Sequence, residues 1–368
     1  MNFDFPEEVK AMQEQALDYL RKTDSRAMAR KVLDGDGSAA RESWLAMAEM
    51  GWTGLTIDEK YAGNGIGHIA LCGLAYELGR NLTPAPFSSS VYLVAEAINM
   101  FGTEAQKEAW LPGIAKGNQA ACFAQSEGIK SKAGHFFTSQ VSNGKLTGVK
   151  EPVADGMCAD FVLVMAKQDQ KDGLYIVDLN ADGVERELVK TVEGIREHAR
   201  ISFDNAPADL LVQGKEAIDE LFDRAAILFA FEQVGGAQAC LDMAIEYAKE
   251  RYAFGRPIGS FQAIKHKLAD MFVAIELARS NAYFGAWALS TNASELPVAA
   301  AAARLSGSKA YWLAAKENIQ THGGLGFTWD LDCQLYYRRH KAIKLVVGNE
   351  RVWENRLIDG LRAGLVEL

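Results

Sequence analysis

The 368-residue sequence lacks the features that direct a protein to nucleic acid or to a membrane. Lys and Arg number 39 against 48 Asp and Glu, a net charge of -9, so no basic excess is present to bind phosphate backbones or anionic lipid. No apolar run approaches the length of a membrane span, and the acidic N-terminus lacks the basic start of a signal peptide. We therefore expect neither nucleic acid nor a membrane as a partner.

Cysteine is also scarce. The five residues are odd in number, scattered and without CxxC spacing: Cys72, Cys122, Cys158, Cys240 and Cys333. This pattern argues against a disulfide framework and against a zinc site. We expect no metal, and a reducing, cytoplasmic location.

The sequence does contain three successive blocks of different periodicity. A hydrophobic content of 49% over this length predicts two or three domains with sizeable cores. The apolar period is helical up to residue 118, strand-like from 119 to about 210, and helical again to the end. We predict an α+β fold with a helical domain at 1–118, a β domain at 119–210 and a four-helix bundle at 211–368.

Turn and helix signals refine this prediction. Asn143-Gly144 and Asp172-Gly173 are typical of two-residue hairpin turns. Within the C-terminal block the helical period predicts four long helices. Their expected bounds are Ala217 to Tyr252, Ser260 to Leu289, Val298 to Gln320 and Leu335 to Leu361.

The stretch from Arg251 to Gln262 has the properties of an anion-binding turn. Arg251 closes an amphipathic helical run beside a glycine-bearing turn, where its guanidinium suits a pyrophosphate. Phe254 offers an aromatic face, Gly255 permits close approach, and Pro257 stops the helix from continuing. Spacing alone leaves an ordinary helix-turn-helix with a surface arginine equally open.

This stretch, read as Arg-x-x-Phe-Gly-x-x-Ile-x-x-x-Gln, resembles the acyl-CoA dehydrogenase family, and so does the loop from Gln320 to Phe327. The resemblance extends over nearly the whole chain. It implies a helical N-terminal domain, a β-barrel-like middle domain and a C-terminal four-helix bundle. It also implies that one set of residues reaches across a subunit interface to the pyrophosphate and adenosine of an FAD held mainly by a neighbouring chain: Arg251, Phe254, Phe261, Gln262, Gln320, Gly323 and Gly324.

The family's reaction needs a carboxylate base against the α carbon of an acyl-CoA thioester. The resemblance places Val347 at the usual base position and Ala225 at the alternative one, and neither side chain can accept a proton. Glu232, on an otherwise apolar helix, is either a displaced base or the partner of a bundle arginine or interface group. Two other carboxylates are less suited: Asp223, expected in an exposed pair with Arg224, and Glu350, beyond the substrate-facing position. We expect the basic run from Arg338 to Lys341 to form a solvated or interfacial face.

The loops that hold the flavin ring in this family are also altered. The stretch from Ala124 to Lys132 contains no Gly-Ser-Asp, and Pro152 and Ala154 replace an aromatic residue and a threonine. Neither replacement offers a side-chain donor.

The sequence thus resembles the base-lacking subunit of a heteromeric acyl-CoA dehydrogenase, similar to those acting on bulky, steroid-derived CoA thioesters. Expected partners are a related chain in a heterodimer or α2β2 tetramer, an acyl-CoA, and electron-transferring flavoprotein as acceptor. Two alternatives remain open: a homomeric enzyme that uses Glu232, and a non-catalytic structural or binding homologue.

Overall fold

The computed structural model describes residues 4–128 and 138–365. The chain forms two compact units, each assembled from separate stretches of sequence. The first unit comprises Met1–Arg26, His68–Thr83 and Ala226–Leu368, and the second comprises Ala27–Gly67 and Pro84–Ala225.

Helices dominate both ends of the chain. The α-helices are α1 (Glu7–Lys22), α2 (Ser25–Leu33), α3 (Ser38–Glu49), α4 (His68–Arg80), α5 (Glu96–Phe101), α6 (Glu104–Ala115), α7 (Lys215–Glu250), α8 (Gln262–Thr291), α9 (Leu296–His322), α10 (Cys333–Ile343) and α11 (Glu350–Arg362). A π-helical segment, Ser88–Ala95, precedes α5. Among the described residues, no helix is both long and apolar enough to cross a membrane.

A mixed sheet forms the core of the second unit. Its strands are β1 (Ala121–Ala124), β2 (Gln140–Ser142), β3 (Lys145–Ala154), β4 (Phe161–Gln168), β5 (Lys171–Asp178), β6 (Val184–Val189), β7 (His198–Pro207) and β8 (Asp209–Gln213). The order is β6-β7-β3-β2-β4-β5-β8, and β1 pairs with β4 in parallel. The predicted strand-rich middle of the chain is confirmed, although pairing among the described residues leaves the sheet open rather than closing it into a barrel.

One of the two predicted hairpin turns is confirmed. Asn143 and Gly144, with φ of 51° and 70°, join β2 to β3 as a type I′ turn requires. The turn predicted at Asp172-Gly173 is wrong, because both residues lie within β5, where Gly173 pairs with Ala166. The chain instead reverses at 169–170, where both residues have positive φ.

The last predicted helix is also wrong, because it is interrupted. The chain leaves the helix after Ile343 and resumes at Glu350, and Val347 and Gly348 between them have φ of 53° and 111°. The Asn349 side chain accepts from the backbone N–H of Val352 at 3.2 Å and so caps the new helix. The helical period continues through the break, which is why the pattern concealed it.

Glycines allow α4 and α7 to pack closely in the first unit. A Cβ on Gly79 would lie 2.0 Å from the Glu232 carbonyl oxygen, and one on Gly235 would lie 1.9 Å from that of Tyr76. Only glycine fits at such distances. This contact fixes the segment of α7 that carries Glu232.

Candidate functional site

Arg251 lies directly after α7, at the start of a small hairpin. The hairpin pairs β9 (Tyr252–Ala253) with β10 (Arg256–Pro257), and Phe254 and Gly255 form its tip with φ of 53° and 79°. The Phe254 side chain is 95% exposed, although its ring meets the edge of Phe261 at 6.2 Å between centroids. The motif therefore presents an unusually exposed aromatic ring beside a cation.

Arg251 and the glycine loop line one groove of about 510 Å³. Its lining residues are Tyr247, Arg251, Ile258, Thr321, His322, Gly323, Gly324 and Leu325. The Arg251 guanidinium has no hydrogen bond or ion pair within the described part of the chain. A Cβ at Gly323 or Gly324 would meet no atom within 4 Å, so the space in front of both glycines is open.

His322 forms a neutral part of the groove wall. Its ring stacks on Tyr247 at 4.2 Å between centroids, and its Nδ1–H donates to the Asn318 carbonyl oxygen at 2.9 Å. Burial lowers the pKa of His322 below its ordinary value, so the ring is uncharged at neutral pH. Arg251 thus supplies the positive charge among the lining residues.

The remaining predicted cofactor residues lie outside the lining of this groove. Phe261 precedes α8, and the Arg256 guanidinium lies over its ring at 4.1 Å. Gln262 begins α8 and Gln320 lies in the last turn of α9, and both are exposed. The structure brings Arg251, Gly323 and Gly324 together; it places Phe254, Phe261, Gln262 and Gln320 on neighbouring surfaces of the same unit.

The two predicted base positions hold buried apolar side chains. Val347 is 1% exposed in the α10–α11 connection, and Ala225 is fully buried in α7. Arg304 from α9 donates to the carbonyl oxygens of Ile343 and Val346, the latter at 3.0 Å, and so holds this connection. Burial lowers the pKa of Arg304 to about 9. No carboxylate occupies either base position.

Glu232 forms a buried ion pair. Its carboxylate, with the residue 7% exposed, accepts from the Arg339 guanidinium of α10, which is itself buried. The prediction that an arginine of the bundle pairs with Glu232 is confirmed. The expected solvated or interfacial face from Arg338 to Lys341 is wrong at two positions, because Arg339 and His340 are buried within the chain itself. Burial lowers the pKa of His340 to about 4, so that ring is neutral.

The other two carboxylates differ in setting. Asp223 is 4% exposed, and Arg224 binds the Glu96 carboxylate at 2.6 Å, so the predicted exposed Asp223–Arg224 pair is wrong. The reason is that this segment of α7 packs into the second unit instead of facing solvent. The Glu350 carboxylate accepts from the Ser308 hydroxyl at 3.3 Å at the start of α11.

The loop after β1, which the resemblance places at the flavin ring, is hydrogen-bonded to the sheet of its own unit. The Glu127 carboxylate accepts from the Ser139 N–H at 2.9 Å and from the buried Lys150 ammonium at 2.9 Å. Burial opposes ionisation of Glu127, but Lys150 and Ser139 outweigh it and lower the pKa of Glu127 to about 2. Pro152 and Ala154 follow on β3 without a side-chain donor. The rest of the altered loop, residues 129–132, lies outside the described residues.

Sequence reasoning missed Arg304 and the pair of Glu127 with Lys150. A signal for Arg304 was present: an isolated arginine directly after the alanine tract 299–303, in a helix that is apolar around it, has to be buried and satisfied. No comparable local signal marks Glu127, because its partners Thr138, Ser139 and Lys150 are 11, 12 and 23 residues away in sequence.

Family comparison identifies the class of protein as the acyl-CoA dehydrogenases. Residues 6–118 match the N-terminal domain of that family and residues 213–361 match its C-terminal domain. The chain belongs to the acyl-CoA dehydrogenase family, whose members are oxidoreductases acting on CH–CH bonds.

Individual relatives cover nearly the whole chain. The acyl-CoA dehydrogenase IpdE2 of Mycobacterium tuberculosis is 31% identical over 344 residues, 93% of each protein. The probable acyl-CoA dehydrogenase YngJ of Bacillus subtilis is 31% identical over 373 residues, covering 96% of this chain and 97% of the relative. A solved variant of the Tcur3481–Tcur3483 steroid ACAD superposes with a TM-score of 0.88 at 28% identity, over 97% of this chain and 98% of that one.

Proposed function

We propose that this chain is the subunit of a heteromeric, FAD-dependent acyl-CoA dehydrogenase that completes the partner's FAD site and carries no catalytic base of its own. One observation carries the proposal. The Arg251 groove is open and its cation is unpaired, whereas both base positions, Val347 and Ala225, are apolar and buried.

The groove fits the pyrophosphate of FAD. An unpaired guanidinium beside two glycines with open space in front of them provides charge and close backbone approach, which is what a diphosphate requires. In this proposal Arg251 binds the phosphates and Gly323 and Gly324 let the cofactor approach. Bound FAD would supply the hydride acceptor for α,β-dehydrogenation.

The exposed residues around the groove complete this contact set. Phe254 and Phe261 offer ring surface for the adenosine part, and the Gln262 and Gln320 amides offer donors and acceptors. All are exposed or half-buried, as residues that reach to a neighbouring chain have to be. Phe254 in particular has little reason to be 95% exposed unless a partner covers it.

The flavin-ring positions of this chain do not fit the ring in the same way. Pro152 and Ala154 cannot donate a hydrogen bond from their side chains, and Glu127 is fully engaged by Ser139 and Lys150. We infer that the competent flavin pocket belongs to the partner chain. The homomeric alternative receives no support from Glu232, because that carboxylate is held by Arg339.

The same proposal extends to the substrate and to the partners of this chain. The steroid ACAD of similar fold favours a bulky, steroid-derived CoA thioester, with a related chain as partner in a heterodimer or α2β2 tetramer. Electron-transferring flavoprotein is the proposed acceptor. The five cysteines are unpaired in the structure, as suits the proposed cytoplasmic location.

Expression of the chain alone and together with a related chain that retains the glutamate and the Gly-Ser-Asp loop tests this proposal. We expect flavin absorbance and oxidation of a CoA thioester only in the co-purified complex. Flavin and turnover in this chain alone would support the homomer instead. A flavin-free complex without turnover would support the non-catalytic homologue.

A further inference from the structure

A second pocket, of about 260 Å³, lies in the first unit among α1, α4, α7 and α8. It shares no lining residue with the Arg251 groove. Its lining combines aromatic rings with charged groups, which is the composition of a ligand site rather than of a packing defect.

Three aromatic rings form one wall. Phe5, before α1, packs against Tyr283 of α8 at 4.8 Å and against Phe231 of α7 at 5.5 Å between centroids. The Phe231 and Tyr283 rings lie 5.8 Å apart. Because each ring contacts the other two, the wall is fixed by its own packing and needs no ligand to form.

Glu77 of α4 places a buried carboxylate against this wall. It is 4% exposed, its Oε2 has no hydrogen-bond partner, and its carboxylate makes no ion pair within the described part of the chain. A buried carboxylate without a donor is costly, so a group that donates to it would be bound favourably.

Three cations around the pocket do not meet this need, because each has another partner. Lys10 binds Asp4 at 2.6 Å and Glu7 at 3.0 Å. Arg80 binds Asp242 at 2.7 Å. Arg279 lies 3.4 Å from Glu276, and its NH2 group donates to Gln238 at 2.9 Å.

We propose that this pocket binds a small organic ammonium ligand, with the ammonium on Glu77 and the apolar body against Phe5, Phe231 and Tyr283. Ammonium groups combine charge-assisted donation to a carboxylate with attraction to aromatic faces. The Arg279 Nε–H is buried without an acceptor, so a hydroxyl or carbonyl on the ligand also finds a donor.

The site has a built-in dependence on pH. Burial raises the pKa of Glu77 to about 7, against the opposing charges of Arg80 on α4 and Arg21 on α1 and with the help of Asp242 on α7. Lys10 and Glu14 of α1 and Arg279 of α8 also line the pocket. Glu77 is ionised above pH 7 and protonated below it, so affinity for an ammonium rises by roughly tenfold from pH 6 to pH 8.

Calorimetric titration of the full-length chain with 2-phenylethylamine, and separately with its neutral analogue 2-phenylethanol, tests the site. We expect the amine to bind at least tenfold more tightly at pH 8, and the preference to shrink at pH 6. Glu77→Gln should remove the preference, whereas Glu246→Gln, an exposed position on α7, should retain it.

The native chain alone can overturn the proposal, whatever the folding of the variant. Equal affinity for the amine and the alcohol at pH 8, or no binding of either at millimolar concentration, would contradict it. So would an amine preference in the native chain that Glu77→Gln leaves unchanged.

Discussion

The Arg251 groove and the surroundings of Val347 belong to the same compact unit, yet they treat charge in opposite ways. At the groove, Arg251 is exposed and unpaired, and two glycines leave the space before it open. Around Val347, the buried charged side chains bind other groups of the protein: Arg304 donates to the Ile343 and Val346 carbonyl oxygens, and Arg339 pairs with Glu232.

This difference distinguishes residues that stabilise the fold from residues that are available to bind a ligand. A buried ion pair satisfies itself, and removing one member leaves the other uncompensated. An exposed arginine without a partner contributes little to the fold, so its removal should be felt where a ligand binds. Substitutions in the two regions should therefore affect different measurements.

Glu232→Ala should have the largest effect, and the effect should be on stability. The change leaves Arg339 buried beside an empty site, which costs roughly 3–5 kcal/mol. A lower urea midpoint, with Glu246→Ala as an exposed control on the same helix, would agree with a structural role. A variant of native stability that had lost turnover would identify Glu232 as the base.

Arg251→Ala should reduce flavin retention in the assembled complex and leave the fold intact. One charge-assisted contact to a phosphate contributes about 1.5 to 3 kcal/mol, so the dissociation constant for FAD should rise at least tenfold. Flavin absorbance after gel filtration measures this. Lys249→Ala, which removes an exposed cation two residues earlier, is the matched control. Equal loss of flavin in both variants would mean that Arg251 is only a charge at a helix end and does not bind FAD specifically.

Alanine substitutions at Gly323 and Gly324 should have smaller effects, and the two positions should respond differently. Gly323 has a φ of 60°, so alanine there strains the backbone by roughly 1 kcal/mol or more, even though its Cβ has room. Gly324 has no positive φ, so Gly324→Ala should leave thermal stability unchanged while lowering flavin retention. Full retention in Gly324→Ala would show that the cofactor does not approach this loop.

Val347→Glu should have no effect on turnover in this chain alone. The substitution places a carboxylate at the predicted base position, but Pro152 and Ala154 still provide no side-chain donor for a flavin ring. Assay of the single variant with a CoA thioester checks this. Activity without a partner chain would mean that a flavin is already well placed here.

The sequence predicted the parts of the fold that depend on local pattern. Helical period located α7, α8 and α9 to within a few residues, and the Asn143-Gly144 turn followed from backbone preference alone. The break before α11 was missed because Val347 is a β-branched residue at positive φ, a conformation that tertiary contacts impose.

The site was predictable where it is exposed and local, and unpredictable where it is buried. Arg251 and the glycine loop are 72 residues apart yet each carries its own signature, so their meeting in one groove agrees with the motif. The partner of Glu232 lies 107 residues away, and the register that brings Arg339 to it is fixed only by helix packing. The sequence indicated that Glu232 needs a partner, but it did not indicate which arginine pairs with it.

The central claim is that this chain completes a flavin site in a partner instead of holding one itself. Native mass spectrometry of the purified complex, combined with absorbance at the flavin band, tests it most directly. We predict two copies of this chain and two of a related chain with two FAD in total, one for each heterodimer. A stable homotetramer of this chain carrying one FAD per subunit would contradict the account.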